Sequence, residues 1–348
     1  MTLTELSHYS RRAAPLVVIF FLVIFIFYYS IKLIFLLGKP TEQSTISINP
    51  IFDKIDFPVI KDATPSSGLT FTLDTVEGKP ITATAAARIF FIPEPQPKLG
   101  YRSKLLLMAK QFGFDKDVKY TLDDNNAFFS DGKKKLKINI ANFNFGYEYD
   151  FSNEDSLFQE TVLPSESQIK NKAIDFLKSV DRYPEELAMG KINIIYFYYN
   201  PADQSVTKAN NPNLANLVEV DFYRADIDEF PIVYPKYGNS PNHLIVTFSN
   251  NEMKIVKAKI SFFEKYENEF GVYPLKSGDE AYNELVSGKA LIVNNPNQDK
   301  EVVIKKMFLA YFDPDEYQKY LQPVYVFLGK NDFVAYVWAV SNDYLKDR

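Results

Sequence analysis

The chain has 348 residues, with 39 Lys and Arg against 44 Asp and Glu, and no Cys. Zero Cys excludes disulfides, thiolate zinc sites and thiol catalysis, and a chain of this length builds a core without such staples. Beyond residue 40 there are 35 basic and 43 acidic side chains, about −8 formally, which excludes the basic face that a nucleic-acid partner needs.

Residues 13–37 form the one long apolar run and carry a single charge, Lys32. Roughly 20 apolar residues cross a hydrocarbon core of about 30 Å, so the run predicts a transmembrane helix. Pro15, Phe20, Phe25, Tyr28 and Lys32 are its anchor residues. Lys32 lets its stem lie in lipid while the ammonium reaches water, and Tyr28 falls where an aromatic belt is expected. The run is longer than a signal-peptide core and no small-x-small cleavage site follows, which predicts an uncleaved signal-anchor. Residues 1–12, with Arg11 and Arg12, are the expected cytoplasmic tail. The large C-terminal part is then extracytoplasmic, on a single-pass protein of the cell membrane. Residues 38–66 read as a stalk interrupted by Pro40, Pro50, Pro58 and Pro65. Its Ile51, Phe52, Ile55 and Phe57 are expected to pack partly on the domain.

Three units are expected after the stalk. The first, 67–163, opens with strands at Leu69–Asp74 and Ala87–Ile92 and a Pro-rich hinge at Ile92–Gly100. A helix over Ser103–Phe112 stops at Gly113. A hairpin follows around Asp131-Gly132, then an alternating strand through Phe143, Phe145, Tyr147 and Tyr149. The second, 164–275, opens on a capping box at Ser165 and Gln168. After its helix come strands at Lys191–Tyr199, Leu217–Tyr223, Phe230–Tyr234, Leu244–Ser249 and Lys254–Glu264, with a long polar loop at Asn200–Asn213. The third, 276–348, opens on a capping box at Ser277 and Glu280, and its helix stops at Gly288. Strands follow at Ala290–Val293, Val302–Phe312, Pro323–Leu328 and Phe333–Val340. The recurring order predicts an α+β chain: one transmembrane helix, then units of one short helix packed on curled antiparallel sheets.

In the third unit, Ala281–Val293, Val302–Asp313, Tyr320–Phe327 and Phe333–Val340 resemble the extracytoplasmic regulatory domains of the YycH/YycI type, which are PepSY-like in shape. The resembling pieces are the helix ending at Gly288, the strand ending in Ala310-Tyr311, the strand Leu321–Tyr325 and the pair Trp338-Ala339. The resemblance implies a membrane-tethered module that binds proteins and modulates a sensor or envelope enzyme, without chemistry of its own.

The residues point the same way. His8 and His243 are the only histidines, so a His-based triad, a zincin motif and a facial triad find no support. His243 opens a strand and reads as a surface or strand-edge residue. No G-x-S-x-G, Walker or dinucleotide fingerprint occurs. Asp226, Asp228 and Glu229, and likewise Asp313, Asp315 and Glu316, share a D-x-D-E spacing. Oxygen-rich clusters hold calcium, so these six are the metal candidates, with a solvated turn as the competing reading. In the aromatic strand, Tyr196 and Tyr198 share one face and Tyr199 lies on the other. These three are the candidate binding surface, with core packing as the competing reading. No catalytic residue and no cofactor is assigned, and the chain is read as a non-enzyme. The expected function is a binding or regulatory module for an envelope protein or peptide, at the membrane. The alternative is a factor that binds or processes cell-wall glycan through carboxylates and exposed tyrosines.

Overall fold

The computed structural model describes residues 19–32 and 47–346, apart from 116, 153, 159–162, 250 and 251. It divides into Met1–Ser47 and Ile48–Arg348. In the first unit, the described residues 19–32 are helical, α1, and Phe20, Phe25 and Tyr28 are exposed. Phe25 stacks on Tyr29 one turn later. Among the described residues no helix is long and apolar enough to cross a membrane. Pro15, the tail 1–12, both ends of the expected span and most of the stalk's first half lie outside the described residues.

Two nine-stranded sheets make up the second unit. In the first sheet, β1 (Thr64–Pro65), β15 (Leu291–Asn294), β18 (Val334–Trp338), β17 (Tyr320–Gly329), β16 (Glu301–Phe312) and β11 (Ile232–Val233) lie side by side. Three more strands attach to this row. β2 (Thr70–Leu73) runs parallel to β16, and β3 (Ala86–Phe91) pairs with both β17 and β14 (Phe270–Pro274). At its centre, β17 and β18 are buried on both faces and read as near-continuous apolar runs. Tyr325, Phe327 and Val337 pack under α5 (Gly278–Val286) through Ala281 and Leu285. Their neighbours Val324, Val326 and Trp338 face the other way, against Val233 and the stalk residue Ile60. The stalk from residue 48 onward is therefore part of this fold. Ile55 is fully buried beside Leu345, and β1 pairs with β15, where Pro65 occupies an edge strand that can spare a donor.

The second sheet is antiparallel throughout. Its order is β4 (Tyr120–Leu122), β5 (Asn126–Ser130), β6 (Lys134–Asn139), β7 (Phe145–Tyr149), β13 (Glu252–Ile260), β12 (His243–Ser249), β10 (Leu217–Phe222), β8 (Ile192–Asn200) and β9 (Ser205–Lys208). Alternation sorts its side chains between faces. Tyr147, Ala258, Leu244 and Val220 form an apolar row under α2 (Tyr101–Gln111) and α3 (Glu166–Ser179), with Leu105, Met108, Ile169, Ala173 and Leu177 opposite. Both expected capping boxes, at Ser165 and Ser277, are closed by side-chain and backbone hydrogen bonds.

The fold is mixed α+β with antiparallel sheets and few helices, as the sequence predicts. Its sheets do not follow the three expected units. Pairing of β7 with β13 crosses the 163/164 boundary and gives one sheet two helices. Pairing of β3 with β17, and of β2 with β16, crosses the 275/276 boundary. The physical reason is edge pairing: each expected unit would leave open strand edges, and joining the strands covers them. The polar stretch Asn200–Asn213 is likewise partly ordered, holding β9 and a short turn at Pro212–Leu214.

Candidate functional site

The two sheets meet at Arg224, just after β10. Its guanidinium is fully buried and donates to both carboxylate oxygens of Asp313 (3.0 and 3.3 Å) at the end of β16. It also donates to Glu186 (2.7 Å), on α4 (Glu185–Ala188), and to the Phe263 carbonyl (2.6 Å). Burial pushes the Asp313 carboxyl up, to about 6, while Arg224 pulls it down. All three guanidinium nitrogens donate, which makes the cluster a structural clasp.

Beside the clasp, a groove of about 740 Å³ opens where the chain passes between the sheets. Its walls are the connection 92–100, the turn at 141–143, the α3–α4 corner at 181–184 and the segment 262–266. Pro93, Pro95 and Pro97 keep the first wall extended, because proline fixes φ and cannot continue a ladder. Gly100, at φ 84°, then turns the chain into α2, which starts with no side-chain cap and no acid in its first turn. Lys104 on α2 lies 4.3 Å from the Phe143 ring centre and pairs with Asp181.

Arg182 lines this groove and differs from Arg224 in one respect. It is 7 % exposed, and its Nη2 donates to the Asn144 side chain (2.7 Å) and the Phe262 carbonyl (3.1 Å). Its Nε has no acceptor, and among the described residues no carboxylate pairs with it. Asp181 and Glu264 act on it only through space, and burial pulls its pKa below the ordinary value. A buried cation without a counter-ion is costly unless something supplies the charge.

The outer face of the second sheet carries a different chemistry. One cross-strand row reads Gly146, Lys259, His243, Asp221, Asn193, and the next reads Glu148, Lys257, Ile245, Glu219, Ile195. Lys257 pairs with Glu148 (3.2 Å) and Lys259 with Asp315 (3.3 Å), so the lysines are engaged elsewhere. Glu219 and Asp221 have no ion-pair partner among the described residues, and one donor atom each of Glu219, Asp221 and His243 lie within 4.8 Å of one another. Asp221 is 2 % exposed and its Oδ1 has no hydrogen-bond partner. Burial, then the Glu219 charge, pushes its carboxyl up to about 7. His243 Nδ1 lies 3.1 Å from the Ser240 carbonyl oxygen, and burial lowers the ring's pKa. A glycosidase needs carboxyls flanking a bond from two sides; these two sit side by side on one strand, one of them buried.

The structure brings neither D-x-D-E set together as a group of metal ligands. Asp228 pairs with Arg88, Asp313 with Arg224, Asp315 with Lys259 and Glu316 with Lys61. Asp226 lies outside these pairs, and Asp228 and Glu229 form a tight turn with positive φ. Four of the six calcium candidates are thus held by four separate cations. The tyrosines also separate. Tyr199 is buried against the rings of Phe151 and Phe158 (centroids 5.0 and 4.5 Å), and Tyr196 is half-buried. Tyr198 alone is exposed. Sequence reasoning missed Arg182 and the Glu219–Asp221–His243 group. The Glu-x-Asp alternation in a strand was the available signal, since it places both acids on one face.

No family model matches the chain, and no curated protein matches it. Among solved structures, an uncharacterized protein from Eubacterium rectale is similar at 13% identity and a TM-score of 0.36, over 83% of this chain and 92% of that one. The C-terminal domain of YpeB from Bacillus megaterium is similar at 13% identity and a TM-score of 0.30, over 73% of this chain and 97% of that one.

Proposed function

We propose that the chain is a membrane-tethered, extracytoplasmic binding module that takes a carboxylate-bearing segment of an envelope protein or peptide into the groove at Arg182. Residues 13–37 supply the tether and residues 1–12 the cytoplasmic tail. The observation that carries this reading is the buried guanidinium with no carboxylate hydrogen-bonded to it, lining an open groove. The side chain keeps 7 % exposure, and an incoming carboxylate supplies the counter-charge that the buried guanidinium lacks at hydrogen-bond distance. The acidic chain repels an acidic partner at long range, so selectivity comes from the groove. The module has no chemistry of its own in this reading; the groove positions a partner and shields its carboxylate from water.

The test is a photo-cross-linking residue at the exposed position Leu99, on the groove wall, in intact cells. The expected result is a discrete adduct with one envelope protein or peptide that falls about tenfold in the Arg182→Gln variant. An adduct of equal yield in both, or none, contradicts the reading. External protease added to spheroplasts checks the tether: residues 48–348 are expected to be digested while a tag on residues 1–12 survives.

A further inference from the structure

We propose that Glu219, Asp221 and His243 form a binding site for a single zinc ion on the outer face of the second sheet. Asp221 stands directly opposite His243 across the β10–β12 pair, and Glu219 follows two residues along the same face. Their donor atoms fall within 4.8 Å of one another, a span that small side-chain rotations close around one ion with bonds of about 2.0–2.2 Å.

Three further observations favour a metal over a bare polar cluster. The Asp221 Oδ1 is buried with no partner, an arrangement that costs free energy unless a cation or donor completes it. The Ser240 carbonyl lies 3.1 Å from His243 Nδ1, so that nitrogen donates and Nε2 keeps the lone pair that a metal requires. Ser240 is itself held, donating to the Phe222 carbonyl and accepting from the Asn242 amide, so the residue that orients the imidazole is fixed. The nearby ammonium groups of Lys257 and Lys259 are drawn to Glu148 and Asp315, so neither lysine is ion-paired to Glu219 or Asp221.

The donor set selects the ion. Calcium takes six to eight oxygens, and one nitrogen with two carboxylates falls short of that. One imidazole and two carboxylates leave a fourth zinc position open for water or for a donor from a bound partner. This inference rests on the β10–β12 register and is independent of the Arg182 groove.

The purified full chain, stripped with EDTA and dialysed, is titrated with zinc chloride by calorimetry and with cobalt chloride by visible absorption. The expected result is one equivalent bound, with cobalt giving the intense visible bands of a four-coordinate site. Glu219→Gln and His243→Gln each lower zinc affinity at least about tenfold. His8→Ala, in the tail, leaves it unchanged. Circular dichroism of each variant checks the fold, and Glu219, being half-buried, is the variant least able to disturb it. No binding by the wild-type chain, or equal binding by Glu219→Gln in a folded state, overturns the proposal.

Discussion

The two sheets have nine strands each and opposite characters. The first is buried on both faces at its centre, where β17 and β18 carry almost unbroken buried runs. The second is apolar on the side of α2 and α3 and polar on the other, and its β6 and β7 alternate. The doubly covered centre of the first sheet, β17 and β18, leaves no surface for chemistry. The unpaired acids, the histidine and the groove at Arg182 all belong to the second sheet or its connections.

The largest effects that sharpen this contrast come from the first sheet and the clasp. Phe327→Ala, in a fully buried position of β17, is expected to cost about 3–5 kcal/mol in urea unfolding. Phe128→Ala, partly exposed on the outer face of the second sheet, is expected to cost under about 1 kcal/mol by the same measurement. Equal losses break the comparison. Arg224→Ala leaves Asp313 and Glu186 without their common partner and is expected to cost about 3–5 kcal/mol.

The clasp also has a pH signature. Burial holds Asp313 above its unfolded value of 3.8, at about 6. A carboxyl raised in this way contributes stability that is fully present below about pH 4 and is lost as pH rises through about 6. Asp313→Asn is expected to flatten that part of the stability–pH curve, read from urea midpoints between those pH values. A curve with unchanged slope contradicts the assignment.

Smaller effects separate local from tertiary stabilisation. Ser165→Ala and Ser277→Ala each remove an N-cap acceptor and are expected to cost about 1 kcal/mol, with little change in helix content by circular dichroism. Lys257→Ala removes an exposed ion pair with Glu148 and is expected to shift stability by less than about 0.5 kcal/mol.

Local chemistry was the legible part of the fold. The capping boxes at Ser165 and Ser277, the stop at Gly113 and the alternation of Phe145, Tyr147 and Tyr149 are set by residues within a few positions. Which sheet a strand joins was not legible, because the pairing of β2 with β16 spans more than two hundred residues and no local signal encodes it. The same limit hid the site on the outer face. Glu219 and Asp221 share a strand, but His243 joins them only through the register of a second strand. No local signal marks Arg182, because its partners Asn144 and Phe262 are distant in sequence. The acidic D-x-D-E sets looked convergent because spacing shows proximity along the chain and not which cation each carboxylate meets.

The central claim is that the groove binds a carboxylate through Arg182. Fluorescence anisotropy of a labelled hexaglutamate peptide against the full chain tests it most directly, with hexaglutamine as the comparison and Arg182→Gln as the control. The account predicts that hexaglutamate binds at least about tenfold tighter than hexaglutamine and that Arg182→Gln abolishes the difference. Equal affinity for the two peptides, or a preference that survives Arg182→Gln, would contradict it.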